Sequence, residues 1–405
     1  MRRIAVLMAT AFVDMVGGSM IFPLLPFYAL KLNADPWMIG WMIAAFWIAQ
    51  LASAPLWGRV SDRYGRRPAL LAGLAASAAG FLVFAFAAEA WMLLLSRLVQ
   101  GAGGGTTGVA QAYIGDAVEP KDRAKALGWL SAATSAGVMI GPAIGSLATT
   151  LGSAAPGLIA AGLCLLNVFY AWRWLPETAP HKRHNPGGGV RVPQASRRPV
   201  RAVVWEVLSS PAGDIPRLIW IYTLGMLGFM SMTGVLALYL ERAYGVTEGT
   251  IGLFFVYTGA LSVIMRAVIL GKLVERFGET GVMRMGATLL ALGLVGIPLP
   301  HAIPGLALVI ALVPIGTALL FPATSALVTH RAPAAELGQV MGVQQAFGSV
   351  ARVAGPIWAT AAFQALGIGV PFYVSGAVVL VVLLLALRVK PSEVAARTAA
   401  ESVAG

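Results

Sequence analysis

The chain carries one cysteine, Cys164, among 405 residues, so no disulfide can form within it. Charge is equally sparse: Asp, Glu, Lys and Arg make up 11% of positions, and only 17 residues are acidic. No G-x-x-x-x-G-K-[ST] phosphate loop is present, nor any cysteine and histidine spacing that would hold a metal, nor a pair of carboxylates inside an apolar stretch. These absences argue against ATP hydrolysis and against an enzyme site. They leave no catalytic residue, metal ligand or cofactor to name.

What remains is apolar. Hydrophobic residues fill 58% of the chain, more than a water-soluble core can hide, so the reading is an integral membrane protein. About 20 apolar residues are needed to cross a hydrocarbon layer of roughly 30 Å, and backbone groups there must be satisfied internally. Twelve stretches qualify, near 4–30, 38–58, 69–88, 91–114, 126–150, 154–175, 215–240, 249–271, 280–299, 303–328, 338–364 and 368–388. Barrel-type alternation is absent, so the expected fold is all-α. The first stretch follows Arg2 and Arg3 as a signal peptide would, yet it is too long, holds Asp14, Pro23 and Pro26, and lacks a cleavage site.

Orientation follows from the 29 Lys and Arg residues. Lys31 and Arg242 fall on one side, and Arg97, Arg266 and Arg352 fall inside spans. The rest lie at the ends and on alternate loops, 58–68, 115–125, 176–214, 271–284 and 329–337. The positive-inside rule places those loops and both termini in the cytoplasm, with the protein in a cytoplasmic (inner) membrane. The net charge of +12 thus marks topology. A nucleic-acid partner is not expected, because the basic residues are scattered and do not form one soluble face.

Pro176 to Gly213 is the one long hydrophilic connection, and it reads as a flexible linker. His181 and His184 within it have no acidic or cysteine partners for a metal. The expected organisation is a six-helix bundle over 1–175, a cytoplasmic linker over 176–214, a second six-helix bundle over 215–390 and a tail over 391–405. The bundles repeat. Gly58, Asp62, Arg63 and Gly65 return 213 residues later as Gly271, Glu275, Arg276 and Gly278, while Gly128, Gly141 and Pro142 return 214 later as Gly342, Gly355 and Pro356. Two parallel bundles with a substrate site near the midplane is the transporter architecture such a repeat implies.

Four motifs resemble those of major facilitator superfamily transporters. The run Gly58 to Arg67 matches G-x-x-x-D-R-x-G-R-R and reads as a short charged loop between the second and third spans. Arg97 to Gly103 is similar to R-x-x-Q-G-x-G. Gly137 to Ser146 is similar to the antiporter-associated G-x-x-x-G-P-x-x-G-G, with Ser146 replacing the last glycine. Asp14 to Gly17 and Pro23 to Pro26 resemble the opening helix of the drug:proton antiporter branch that includes tetracycline exporters. The resemblance spans the chain and implies twelve helices in two pseudo-symmetric bundles.

In that family the charged loop latches the halves, a role that carries to Gly58, Asp62, Arg63, Gly65, Arg66, Arg67 and Asp116. Asp116 is the nearest sensible partner for Arg66. Gly65 permits a turn that a side chain would hinder, and Asp62 can cap a helix or pair with arginine. The second copy has Glu275 for aspartate and Glu279-Thr280 where paired arginines would stand, so the latch should be asymmetric. Gly137, Gly141, Pro142 and Gly145 offer a side-chain-free, proline-kinked face for close packing, as in many membrane bundles.

Asp14 is the one acidic residue deep in a span. It lies roughly 16 Å from the cytoplasmic edge at 1.5 Å per residue, and an ionisable group there costs about 2.5–3.5 kcal/mol. It is expected to bind the coupling proton or a cationic substrate, with Arg97 tuning it; a structural polar role is the alternative. Substrate-facing candidates are Gln50, Gln100, Tyr222, Phe229, Met232, Tyr239, Tyr257 and Gln344, which suit an adaptable apolar pocket or ordinary helix packing. Arg266 and Arg352 suggest a gate or structural role.

The function that emerges is a monomeric, proton-coupled antiporter exporting amphipathic small molecules. A symporter or facilitator importing a metabolite, and a non-transporting receptor on the same fold, remain open.

Overall fold

A computed structural model describes residues 2–119, 122–178, 198–333 and 336–390. The expected tail over 391–405 and linker positions 179–197, with His181 and His184, lie outside the described residues. The order is α1 (Arg2–Ile21), α2 (Leu25–Lys31), α3 (Pro36–Tyr64), α4 (Arg66–Ala85), α5 (Ala90–Gly103), α6 (Thr106–Ala117), α7 (Arg123–Ala148), α8 (Ala155–Trp174), α9 (Val200–Ser209), α10 (Asp214–Tyr244), α11 (Ile251–Ile264), α12 (Leu270–Gly296), α13 (Ile303–Ile310), α14 (Leu312–Arg331), α15 (Leu337–Ala365) and α16 (Val370–Leu387).

Nine helical stretches among the described residues are long and apolar enough to cross a membrane. One, Ile251–Gly296, is 46 residues long. At 1.5 Å per residue that is about 69 Å, twice what a bilayer needs. It holds two spans, divided at Gly278, whose φ of 65° is non-helical. Two further spans are less plainly apolar or continuous. The fourth is broken into α5 and α6 at Gly104-Gly105, and the eleventh, α15, carries Gln339, Gln344, Gln345, Ser349, Arg352 and Gln364. Together these make the all-α, twelve-helix membrane fold.

Two expectations about loops need correction. The charged run 58–68 is not a loop: α3 continues to Tyr64 and α4 starts at Arg66, leaving Gly65 alone between them. Past the membrane edge a helix keeps its own backbone hydrogen bonds, so charge alone does not end it. Likewise 271–284 is helical except at Gly278. In the connection read as flexible, Val200–Ser209 forms α9, which buries Val203 and Val207 while Trp220 donates its indole N–H to the Val207 carbonyl at 2.9 Å.

The described residues divide into two compact units. Those within Met1–Pro186 and Ala237–Gly259 form one, and those within Gly187–Leu236 and Ala260–Gly405 the other. The sequence repeat has a packing counterpart inside each. In the first unit a Cβ on Gly103 would sit 2.7 Å from the Gly73 carbonyl oxygen; in the second a Cβ on Gly316 would sit 2.8 Å from that of Gly286. Both pairs are separated by the 213-residue offset, so the backbone contact of α4 on α5 recurs as α12 on α14. Similarly, Gly137, Gly141 and Gly145 on α7 lie against the backbone of α1, where a Cβ would come within 2.6 Å of Phe12 O, 2.6 Å of Val16 O and 2.4 Å of Met20 O. Gly355 on α15 lies against Met230 and Ser231 of α10 in the same way. Removing side chains lets helices approach where lipid gives no hydrophobic drive for association.

Candidate functional site

Three sites of chemistry stand out in the first unit. At the charged run, Arg66 starts α4 and gathers its neighbours. Its Nε donates to Asp116 Oδ2 at 2.8 Å and its Nη1 to Ser61 Oγ at 2.9 Å, with Asp62 also accepting from Nη1. Arg66 is mostly covered while Asp62 is 71% exposed, so the Asp116 side of the network is the sheltered one. Arg63 lies over the Tyr64 ring, and Arg67 donates to the Trp172 carbonyl. Nothing within 4 Å of Gly58 explains a glycine there.

Sequence reasoning missed Glu177. Its carboxylate accepts the backbone N–H groups of Arg66 at 2.9 Å and Arg67 at 3.1 Å, which are orphan donors of the first turn of α4. Asp62, expected as a possible helix cap, does not do this. Gly65 takes φ 109°, and a Cβ on it would sit 2.5 Å from the Glu177 Oε2. The glycine is therefore required by its backbone conformation, and any side chain there would also displace the carboxylate beneath it. Tyr113 pins the adjoining residue by donating to the Pro176 carbonyl at 2.8 Å. Glu177 lies 110 residues from its partners, so no local pattern reveals it.

Asp14 sits half-buried on α1 in a cleft lined by Leu7, Thr10, Met15, Leu74, Thr106 and Thr134, among others from α1, α4, α6 and α7. The cavity volume is about 30 Å³. That admits about two waters. No hydrogen bond or ion pair to Asp14 is formed among the described residues, and the buried Thr10 hydroxyl beside it lacks a partner too. Asn167 of α8 donates to the Thr10 carbonyl at 2.8 Å and fixes this part of α1.

The expected pairing of Arg97 with Asp14 is not made in this structure. Arg97 is 3% exposed; it donates to Gln100 Oε1 and lies 5.7 Å over the Phe46 ring. Arg97 belongs to α5, whereas the walls around Asp14 come from α4, α6 and α7.

The remaining candidates are dispersed. Gln50 donates to the Gly104 carbonyl at 3.0 Å. Tyr239 meets Tyr244 edge to face, and Tyr257 is partly exposed. In the second unit Tyr222 and Phe229 meet around Phe321, with ring centroids at 5.3 and 6.4 Å. Gln344 is buried and donates to Ser325 Oγ at 3.0 Å, and Met232 is buried as well. Tyr222 and Phe229 are thus brought together, through an aromatic residue the sequence did not single out. Arg266 lies in a π-helical turn, Met265–Ile269, a local form that often marks functional positions.

Comparison with known proteins agrees with this architecture. The family model described as Major Facilitator Superfamily matches residues 7–313 and 218–404. The tetracycline resistance protein, class B, of Escherichia coli is 30% identical over 276 residues, 67% of this chain and 67% of that protein. Multidrug resistance protein 1 of Bacillus subtilis (strain 168) is 27% identical, covering 91% of this chain and 92% of its own. Among solved structures, a bacterial homolog of the human lysosomal transporter Spinster, inward-facing and unoccupied, superimposes with a TM-score of 0.77 at 13% identity over 98% of this chain and 96% of that one. The human organic anion transporter MFSD10 gives 0.69 at 22% identity over 95% and 99%. With twelve spanning helices, a duplicated glycine framework and the charged run at α3 and α4, the chain is a multi-pass membrane transporter, not an enzyme, and belongs to the Major Facilitator Superfamily.

Proposed function

We propose that this transporter is a proton-coupled antiporter that exports amphipathic small molecules, with Asp14 as the proton-carrying group. The observation that carries the reading is the cleft at Asp14. A carboxyl in mid-span with no hydrogen-bond or ion-pair partner among the described residues must be hydrated or carry a proton, since an unpaired charge there costs about 2.5–3.5 kcal/mol. A cavity with room for about two waters suits a proton and its water far better than a drug. Substrate is then bound elsewhere, with Tyr222, Phe229 and Phe321 as the assembled aromatic group able to contact it.

The relatives named for tetracycline and multidrug resistance support export of such compounds. On this reading the basic loops and both ends face the cytoplasm, the protein lies in the inner membrane as a monomer, and Pro176 to Asp214 links the two six-helix halves. The Arg66, Asp62 and Asp116 network is the conformational latch, with Glu177 setting its backbone. A panel of dyes and antibiotics tested on proteoliposomes with an imposed pH gradient, with and without a proton uncoupler, examines the whole. Uncoupler-sensitive movement of at least one amphipathic compound is expected. Movement indifferent to the gradient would reject coupling, and accumulation in the import direction would reject export.

A further inference from the structure

Ser146 stands where the similar antiporter motif ends in glycine, and packing alone does not need its hydroxyl. That hydroxyl, on a buried side chain, accepts the backbone N–H of Gly252 at 2.8 Å. Gly252 is the second residue of α11, so this N–H is one of the orphan donors at the helix start. Local residues do not cap it: Thr250 bonds back to Thr247. The contact is also close. A Cβ on Gly252 would lie 2.6 Å from the Pro142 carbonyl oxygen and 2.7 Å from Ser146 Oγ, and one on Gly259, two turns further, 3.1 Å from Met139 Cγ. The start of α11 therefore lies along α7 on a face beside the one that Gly137, Gly141 and Gly145 present to α1. Lys31, at the end of α2, pairs with Glu248 just ahead of α11. All of these residues belong to the first compact unit and lie at the ends of its helices opposite Gly65.

We propose that Ser146 is a positioning residue that clasps α11 to α7. Its hydroxyl acts as a helix cap supplied from another helix and holds that end of the unit closed; opening there during transport breaks this bond. The clasp operates by a buried hydrogen bond in an otherwise apolar contact, so it is worth more than the exposed Lys31 and Glu248 pair, whose ions are largely hydrated. The proposal does not depend on proton coupling or on substrate identity.

The test uses full-length protein in proteoliposomes, with Cys164→Ser removing the native thiol and Ile251→Cys placing a reporter at a fully buried position at the start of α11. The rate at which a membrane-impermeant maleimide labels that cysteine measures how often the clasp opens, without substrate or gradient. Ser146→Ala should raise the rate about tenfold, the effect of leaving one buried donor unpaired. Ser146→Gly should do the same and serves if the alanine protein is not recovered, while Ser146→Thr, which keeps the hydroxyl, should stay near the parent. Unchanged labelling in Ser146→Ala, or an equal rise in Ser146→Thr, would overturn the clasp and leave only packing.

Discussion

The two copies of the charged run show which part of a duplicated motif is architectural and which is chemical. Both keep a glycine with positive φ at the turn, 109° at Gly65 and 65° at Gly278. Their charges have diverged. The first copy concentrates Arg66, Asp62, Asp116 and Glu177 into one network, whereas the second has Arg276 over Phe277 and a Glu279 contact to His330 at 3.1 Å. The second unit instead fastens its helix ends with arginines. Arg284 donates to the carbonyls of Ala386, Leu387 and Val389, and Arg217 to that of Arg388, satisfying the last turn of α16. Arg198 grips Glu336 at the start of α15 with bonds of 2.8–3.2 Å. One repeat earlier, Asp122 has no such partner among the described residues. The backbone turn is thus shared, while the charged network is concentrated in the first copy.

The largest effects should come from attacking that asymmetry at the turn. Gly65→Ala forces both a left-handed residue and a contact at 2.5 Å with Glu177, and should destabilise by about 3 kcal/mol. Gly278→Ala meets only the backbone cost of its positive φ, about 2 kcal/mol. Melting of the purified protein in detergent should rank them in that order, and Glu177→Ala should recover part of the Gly65→Ala loss. Equal melting shifts would mean the carboxylate does not constrain the turn.

Next comes the network. Arg66→Ala removes the partner of Asp116, Asp62 and Ser61 and should cut transport about tenfold, the loss of a charge-assisted pair. Arg66→Lys should recover little, because one ammonium cannot hold the fork geometry. Arg276→Ala in the second copy should cost less than about twofold. Initial rates of drug efflux measure all three, and equal losses at Arg66 and Arg276 would erase the asymmetry.

A smaller effect concerns acid. Hydrogen bonds from Arg198 hold the Glu336 carboxyl below the usual carboxylate range. A folded-state value lower than the unfolded one adds stability above about pH 4.3, lost as pH falls through the lower folded value. Thermal stability should decline on acidification below that point in the parent, and the decline should be shallower in Arg198→Ala.

Much of this was legible in sequence because it rests on local composition. Twelve apolar stretches, the 213-residue offset and the glycine face of α7 all follow from side-chain size and spacing. What was hidden depends on distant parts of the chain meeting. Glu177 reaches Arg66 only through the fold, and Ser146 looked like a tolerated replacement until Gly252 came beside it. Arg97 and Asp14 lie at similar depths, but depth along a helix does not say which neighbour a side chain faces, and Arg97 turns to Gln100 and Phe46. The extent of the charged loop was misjudged because polarity marks the membrane edge and not the helix end.

The central claim is that Asp14 couples transport to a proton. Asp14→Asn keeps the shape and hydrogen-bonding capacity of the side chain while removing its titration. In proteoliposomes, Asp14→Asn should retain substrate exchange at equal pH on both sides yet fail to concentrate substrate when a pH gradient is imposed. Gradient-driven accumulation by Asp14→Asn equal to that of the parent would contradict the account.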